Sequence, residues 1–301
     1  MNTFNLIEDN VRFIDSPDFF DKIALVAHNC YQVKEKDHAS NVQFINRLIQ
    51  NHHLAMIEHY RFLFLIDKEH FSAFKDLGNP FIKLIRPEKA IAPVYLLSAS
   101  LRPLLEARTE REIALAHYLE RALKGEVLSL FPNLPLGDSA TLVDIADYAS
   151  SLSQEQKDEL SFYTYQVITD RGVTHELVRH RLCSFAQEST RYCNYTKDKF
   201  SNSLTFIKPL RYEEFSTIYN SFYQQVTDTY FALIEKGAKP EEARSVLPNS
   251  LKASIMVSAD MAEWKRIFSL RCSPFAHPDI NHVMSKVKAD MIKRGFLDEQ
   301  G

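Results

Sequence analysis

The sequence predicts a helix-rich α+β protein with a small central sheet. Two short runs, Arg61–Ile66 (RFLFLI) and Phe162–Thr169 (FYTYQVIT), are dense in apolar, aromatic and β-branched residues and read as strands. Elsewhere apolar residues recur at helical spacing. Between the two runs, Asn79-Pro80, Arg86-Pro87 and Ala92-Pro93 interrupt the chain, so residues 70–161 are expected to form a largely helical insertion between two core strands. Residues 1–301 are otherwise read as a single domain.

Ser16-Pro17 reads as a helix cap followed by proline at the first helical position, and Phe19, Phe20, Ile23 and Val26 give that helix an apolar face to about Tyr31. A second helix is expected over 39–54, with Phe44, Ile45, Leu48 and Ile49 inward. A long helix is expected over 103–124 and a loop over 130–139. After the strand at 162–169, helical spacing is expected over 173–183 and a short strand at 205–207. A long amphipathic helix follows over 212–236, ended by Gly237. Further helices fit 241–247, 259–270, and a stretch from Pro278 to Gly295 carrying Ile280, Val283, Met284, Val287 and Met291.

The 301 residues include only 7 glycines, all well separated. A G-x-G-x-x-G fingerprint and a Walker A loop are therefore excluded, since both need clustered glycines to let backbone approach phosphate. The net charge of -3 gives no support to general nucleic-acid binding. The 4 cysteines form no C-x-x-C pair. The N-terminus lacks the pattern of a signal peptide, and no apolar run approaches the roughly 20 residues of a membrane helix. Reduced thiols, a cytoplasmic location and no membrane partner are the expectation.

The most unusual segment is Arg179-His180-Arg181-Leu-Cys-Ser-Phe-Ala-Gln187-Glu188-Ser189-Thr190-Arg191-Tyr192. Guanidinium groups fit phosphate or carboxylate through paired N–H donors. The Ser189 and Thr190 hydroxyls add further groups, and the Gln187 amide both donates and accepts, which suits a base edge. One reading is an anion site made of side chains. The competing reading is a solvated basic helix end whose arginines pair with Glu176 and Glu188. Zinc chemistry fails on spacing: His175 and His180 lie five positions apart, about 140° around a helix, and His53 with Glu58-His59 does not match H-x-x-E-H. Arg271 beside Cys272, or Arg181 near Cys183, could activate a thiol, whereas packing is the simpler use of a buried cysteine.

The pattern Arg179-His180-Arg181, seven residues, then Ser189 with Arg191-Tyr192 resembles the signature of flavin-dependent thymidylate synthases. Ala27–Tyr31, His53 with Glu58-His59, Ala243-Arg244 to Pro248, and Leu270-Arg271 resemble further family segments in the same order, covering about 20–66 and 162–290. The resemblance implies a single catalytic domain with the family's α/β core and reductive methylation of dUMP to dTMP. Methylenetetrahydrofolate would supply the carbon, FAD would carry the hydride, and NADPH would be the reductant. It also implies a homotetramer with active sites at subunit interfaces.

By the same resemblance, Cys30, His53, Glu58, Arg179, His180 and Arg181 would surround FAD. Glu176, Gln187, Glu188, Ser189, Thr190, Arg191, Arg244 and Arg271 would bind dUMP, with Glu176 reaching in from a neighbouring subunit. A cationic Arg271 beside the uracil would stabilise negative charge as density moves onto C5. No metal is implied. The sequence departs from the family pattern at Ala55, Ala186, Asp260 and Ala262. These departures leave open the alternative of a non-catalytic nucleotide-binding homologue that has lost flavin chemistry.

Overall fold

The computed structural model describes residues 3–32, 36–191, 193–196 and 202–298; Tyr192 lies outside the described residues. The chain opens with β1 (Thr3–Ile7) and β2 (Asn10–Phe13), then α1 (Phe19–Tyr31) and α2 (His38–Gln50). A 3-10 turn over Met56–His59 leads into β3 (Phe62–Ile66). Next come α3 (Lys68–Lys75), β4 (Ile82–Ile85), β5 (Tyr95–Ala99), α4 (Arg102–Leu105), α5 (Glu110–Glu120), α6 (Gly125–Leu128), β6 (Thr141–Leu142) and α7 (Gln154–Leu160). The remainder comprises β7 (Phe162–Asp170), α8 (Arg171–Leu177), β8 (Ser184–Gln187), β9 (Ser203–Ile207), α9 (Tyr212–Glu235), α10 (Pro240–Ala243), β10 (Lys252–Asp260), α11 (Met261–Arg271) and α12 (Pro278–Lys293).

Several boundaries follow capping chemistry rather than apolar spacing. α1 is capped by Asp18, whose carboxylate accepts from Asp21 N–H, so Ser16 and Pro17 precede the helix. The expected helix over 103–124 is broken in two, because Thr109 and Glu112 form a reciprocal capping box that starts α5 afresh. α8 stops at Leu177, short of the expected Cys183. The stretch 241–247 is a turn of α10 followed by a 3-10 turn, Arg244–Val246.

Segment 70–161 has more helix than strand, in α3 to α7, and adds three strands that the helical expectation does not include. It is organised on a four-stranded antiparallel sheet, ordered β4-β5-β3-β6. β3 thus belongs with the segment and not with β7. The sheet shares one core with α1 and α2, in which Phe20, Ile23, Ile45, Phe64, Leu97 and Leu119 are essentially inaccessible. Each such side chain contributes about 1.5–3 kcal/mol by leaving water. His38 adds a polar tie, its ring nitrogens lying 3.0 Å from Asp21 of α1 and 2.7 Å from Glu126 of α6.

The second sheet is ordered β2-β7-β10-β8, antiparallel throughout. One face, through Tyr165, Val167, Ile255, Val257 and Ala259, packs on Trp264, Ile267, Val283 and Met284 of α11 and α12. The opposite face, towards α1, is polar. There Gln166 and Ser254 meet Asn29, while Ser258 meets Thr164 and His59. β1 and β9 form a parallel pair under α9, with Phe206 stacked on Tyr223 at 4.3 Å.

Candidate functional site

Two capped turns at opposite ends of the second sheet bring the site together. Asp170, ending β7, accepts from Val173 N–H at 2.7 Å and starts α8. Asp260, ending β10, accepts from Glu263 N–H at 2.8 Å and starts α11. β7 and β10 are antiparallel, with Asp170 opposite Lys252 and Asp260 opposite Phe162. α11 therefore returns along the sheet for roughly 16 Å. Its last residue, Arg271, arrives at the end of α8.

Arg271 is held by three bonds. Nε donates to His180 Nε2 at 3.1 Å, one terminal nitrogen donates to Glu176 Oε2 at 2.8 Å, and the other donates to the Glu176 carbonyl at 3.2 Å. A guanidinium has five N–H donors, so two remain for a ligand. His180 is buried, and burial, reinforced by Arg271 and Arg266, holds its pKa below the usual histidine range. Accepting from Arg271 at Nε2 requires the neutral form of the ring. Because Nε2 accepts, the proton sits on Nδ1, 3.6 Å from Glu263 Oε1 and without a hydrogen-bond partner among the described residues. Glu263, which no sequence motif marks, is buried and paired with Arg266 at 2.9 Å.

The arginines flanking His180 behave differently. Arg179 and Arg181 are exposed and form no ion pair among the described residues. The competing reading pairs the arginines of this helix end with Glu176 and Glu188; Glu176 is instead taken by Arg271 and Glu188 by Lys252. Glu188 is 3% exposed and takes Lys252 Nζ on Oε2 at 2.6 Å. The same oxygen accepts from Ser254 N–H at 3.3 Å, and Oε1 has no partner among the described residues. Gln187 donates to Thr174 at 2.9 Å. Ser189 N–H donates to the Cys30 carbonyl at 3.1 Å, and its hydroxyl accepts from Arg191 N–H at 3.3 Å. Thr190 is buried and Arg191 exposed.

Cys30 packs against Ala186 and Met256, and burial pushes its thiol up to about 11. Burial likewise raises Cys183 and Cys272, so the neighbouring arginines do not create a reactive thiolate at either. Glu58 lies on the 3-10 turn against β8 and pairs with Arg102 of α4. His53 is exposed, and neither it nor Glu58 bonds to the 171–191 stretch. Arg244 stands exposed on its own 3-10 turn, bonded to none of the other candidate residues. The residues missed from sequence sit on β10 and its neighbours: Lys252, Ser254, Ser258, Asn29 and Gln166. The signal that could find them is the i, i+2, i+4 series Ser254-Met256-Ser258, which marks one strand face.

His175 and His180 do not converge on one point: His175 is exposed on α8 and His180 is buried beyond its end. Among the described residues, the group with metal-binding geometry is Asp18, Asp21 and His38, away from both.

The family described as Thymidylate synthase complementing protein matches residues 143–294, half of the chain. The chain belongs to this family. Flavin-dependent thymidylate synthase of Geobacter sulfurreducens is 32% identical over 135 residues, covering 44% of this chain and 58% of that protein. The enzyme of the same name from Pyrococcus furiosus is 32% identical over 127 residues, covering 41% and 51%. That from Saccharolobus solfataricus is 30% identical over 136 residues, covering 45% and 51%. The chain thus spans about half the length of these curated relatives. The family match contains Arg271, Glu176, His180 and the 187–191 loop. No helix among the described residues is long and apolar enough to cross a membrane.

Proposed function

We propose that the protein is a flavin-dependent thymidylate synthase that converts dUMP to dTMP. Methylenetetrahydrofolate is the carbon donor, FAD the hydride carrier and NADPH the reductant. The observation that carries this reading is the Arg271–Glu176–His180 cluster inside the family-matched span. Two free N–H donors on an anchored guanidinium suit the uracil N3/O4 edge, where negative charge grows as C5 becomes nucleophilic. Glu176 and neutral His180 fix the cation's position.

The residues present also fit the cofactor's anionic part. Arg179 and Arg181 are exposed and without ion pairs among the described residues, and no glycine cluster offers backbone instead. FAD, when bound, would supply hydride transfer. Ser189, Thr190, Arg191 and Arg244 would hold the dUMP phosphate, with Gln187 at the base. Glu188 supports the loop from within, through Lys252.

A shared site in a homotetramer accounts for one more feature. Val178, Leu182 and Leu270 are 42%, 42% and 51% exposed, interleaved in sequence with Arg179, Arg181 and Arg271. Apolar side chains alternating with cations suit an interface that also binds an anion. The test is turnover: incubated with dUMP, methylenetetrahydrofolate and NADPH, the protein should form dTMP only when flavin is present. Flavin-independent formation, or none, would contradict the reading.

A further inference from the structure

We propose that the cavity between α4, α5 and residues 131–134 binds a small organic cation, with Glu120 as its counter-ion. This site lies outside the family-matched span and shares no residue with the nucleotide site. The cavity measures about 310 Å³, within the range of small-ligand pockets. Its wall on α5 is formed by Ile113, Ala116, His117 and Glu120, whose spacing makes one helical stripe. Leu104 and Phe131 close it from the other sides.

Glu120 is the anomaly. It is 4% exposed, yet its carboxylate makes no hydrogen bond or ion pair among the described residues. An isolated carboxylate in such a place is costly, and burial pushes its pKa up to about 7 against the opposing charge of Arg121. Arg121 is not its partner: that guanidinium donates to the carbonyls of Asp138 and Pro135 at 2.8 and 3.2 Å. Glu120 is also the last residue of α5, where the helix dipole adds further negative potential. Leucine or glutamine would fill this position at less cost if packing were its only task. A ligand ammonium or amidinium supplies the missing charge, while Leu104, Ile113 and Phe131 take an apolar or aromatic body.

The test uses a matched pair, 4-phenylbutylamine and uncharged 4-phenylbutanol, titrated calorimetrically into the full chain. The amine should bind at least about tenfold more tightly than the alcohol. Glu120→Gln should remove that preference, and Ile113→Trp, which narrows the mouth without touching the carboxyl, should weaken both probes. The titratable or charged side chains beside Glu120 are His117 and Arg121; α4 and residues 131–134 bring none to the cavity wall. Amine affinity should therefore fall as the pH drops below about 7, where Glu120 gains its proton. Equal binding of amine and alcohol, undiminished preference in the folded Glu120→Gln protein, or no amine binding up to about 10 mM would overturn the proposal.

Discussion

The inner and outer halves of the candidate site differ in what holds their charges. Inside, Arg271, Glu176, His180, Glu188 and Lys252 are tied to one another or to backbone. On the rim, Arg179, Arg181 and Arg244 are exposed and without ion pairs among the described residues. The inner groups are oriented before any ligand arrives, which is what transition-state stabilisation requires. The rim arginines can be satisfied by an arriving anion. Under the proposed function, the inner set would serve the chemistry and the rim arginines the capture of the anion.

The sharpest way to break this division is Arg271→Ala. Product formation should fall by at least about 100-fold, because a preorganised donor is lost. Flavin absorbance and the urea midpoint should change little. A variant that loses flavin in proportion to activity would move Arg271 to the capture side.

Glu188→Ala should act on stability. Removing one member of a buried ion pair leaves Lys252 without its partner, and about 3 kcal/mol should be lost in urea unfolding. A loss confined to dUMP affinity would make Glu188 a ligand contact instead.

At the rim, Arg179→Ala and Arg181→Ala should each weaken flavin binding by roughly tenfold, with unfolding unchanged. That loss should shrink as ionic strength rises, since exposed charges are screened. Fluorescence titration of released flavin at two salt concentrations reads both.

His59 tests the polar face of the second sheet. Its ring accepts or donates at Ser258 and is fully buried, and burial with nearby Lys22 lowers its pKa to about 3. The unfolded chain then binds a proton, from about pH 6.5 downward, that the folded chain refuses. Stability from this group is complete above pH 6.5 and is lost progressively as the pH falls through 3. Chemical denaturation across this window should show the slope, and His59→Gln should flatten it.

The smallest effect is expected at Lys83, which joins the first sheet to Asp260 at 3.4 Å. Lys83→Ala should cost less than about 1 kcal/mol by thermal unfolding, as partly solvated pairs usually do.

Much of this organisation is legible in the order of the amino acids. β7, α9, α11 and α12 have strong periodic or β-rich patterns, and Arg179 to Arg191 is conspicuous in composition alone. β10 is not legible in this way, although it is the centre of the site. Buried on both faces, KASIMVSAD lacks the exposed polar face of a half-buried strand, and the Ser254-Met256-Ser258 series gains its meaning only where Asn29 and His59 meet it. β4 and β5 are hidden by prolines that interrupt the chain between strands rather than within helices. Glu263 has no motif to announce it, since its role depends on α11 returning beside His180.

The most direct measurement is the visible absorption spectrum of the purified protein, before and after NADPH and dUMP are added. Oxidised flavin bands that NADPH bleaches, at a rate that responds to dUMP, are the predicted result. A colourless protein that binds dUMP, gains no colour from added FAD and yields no dTMP would contradict it.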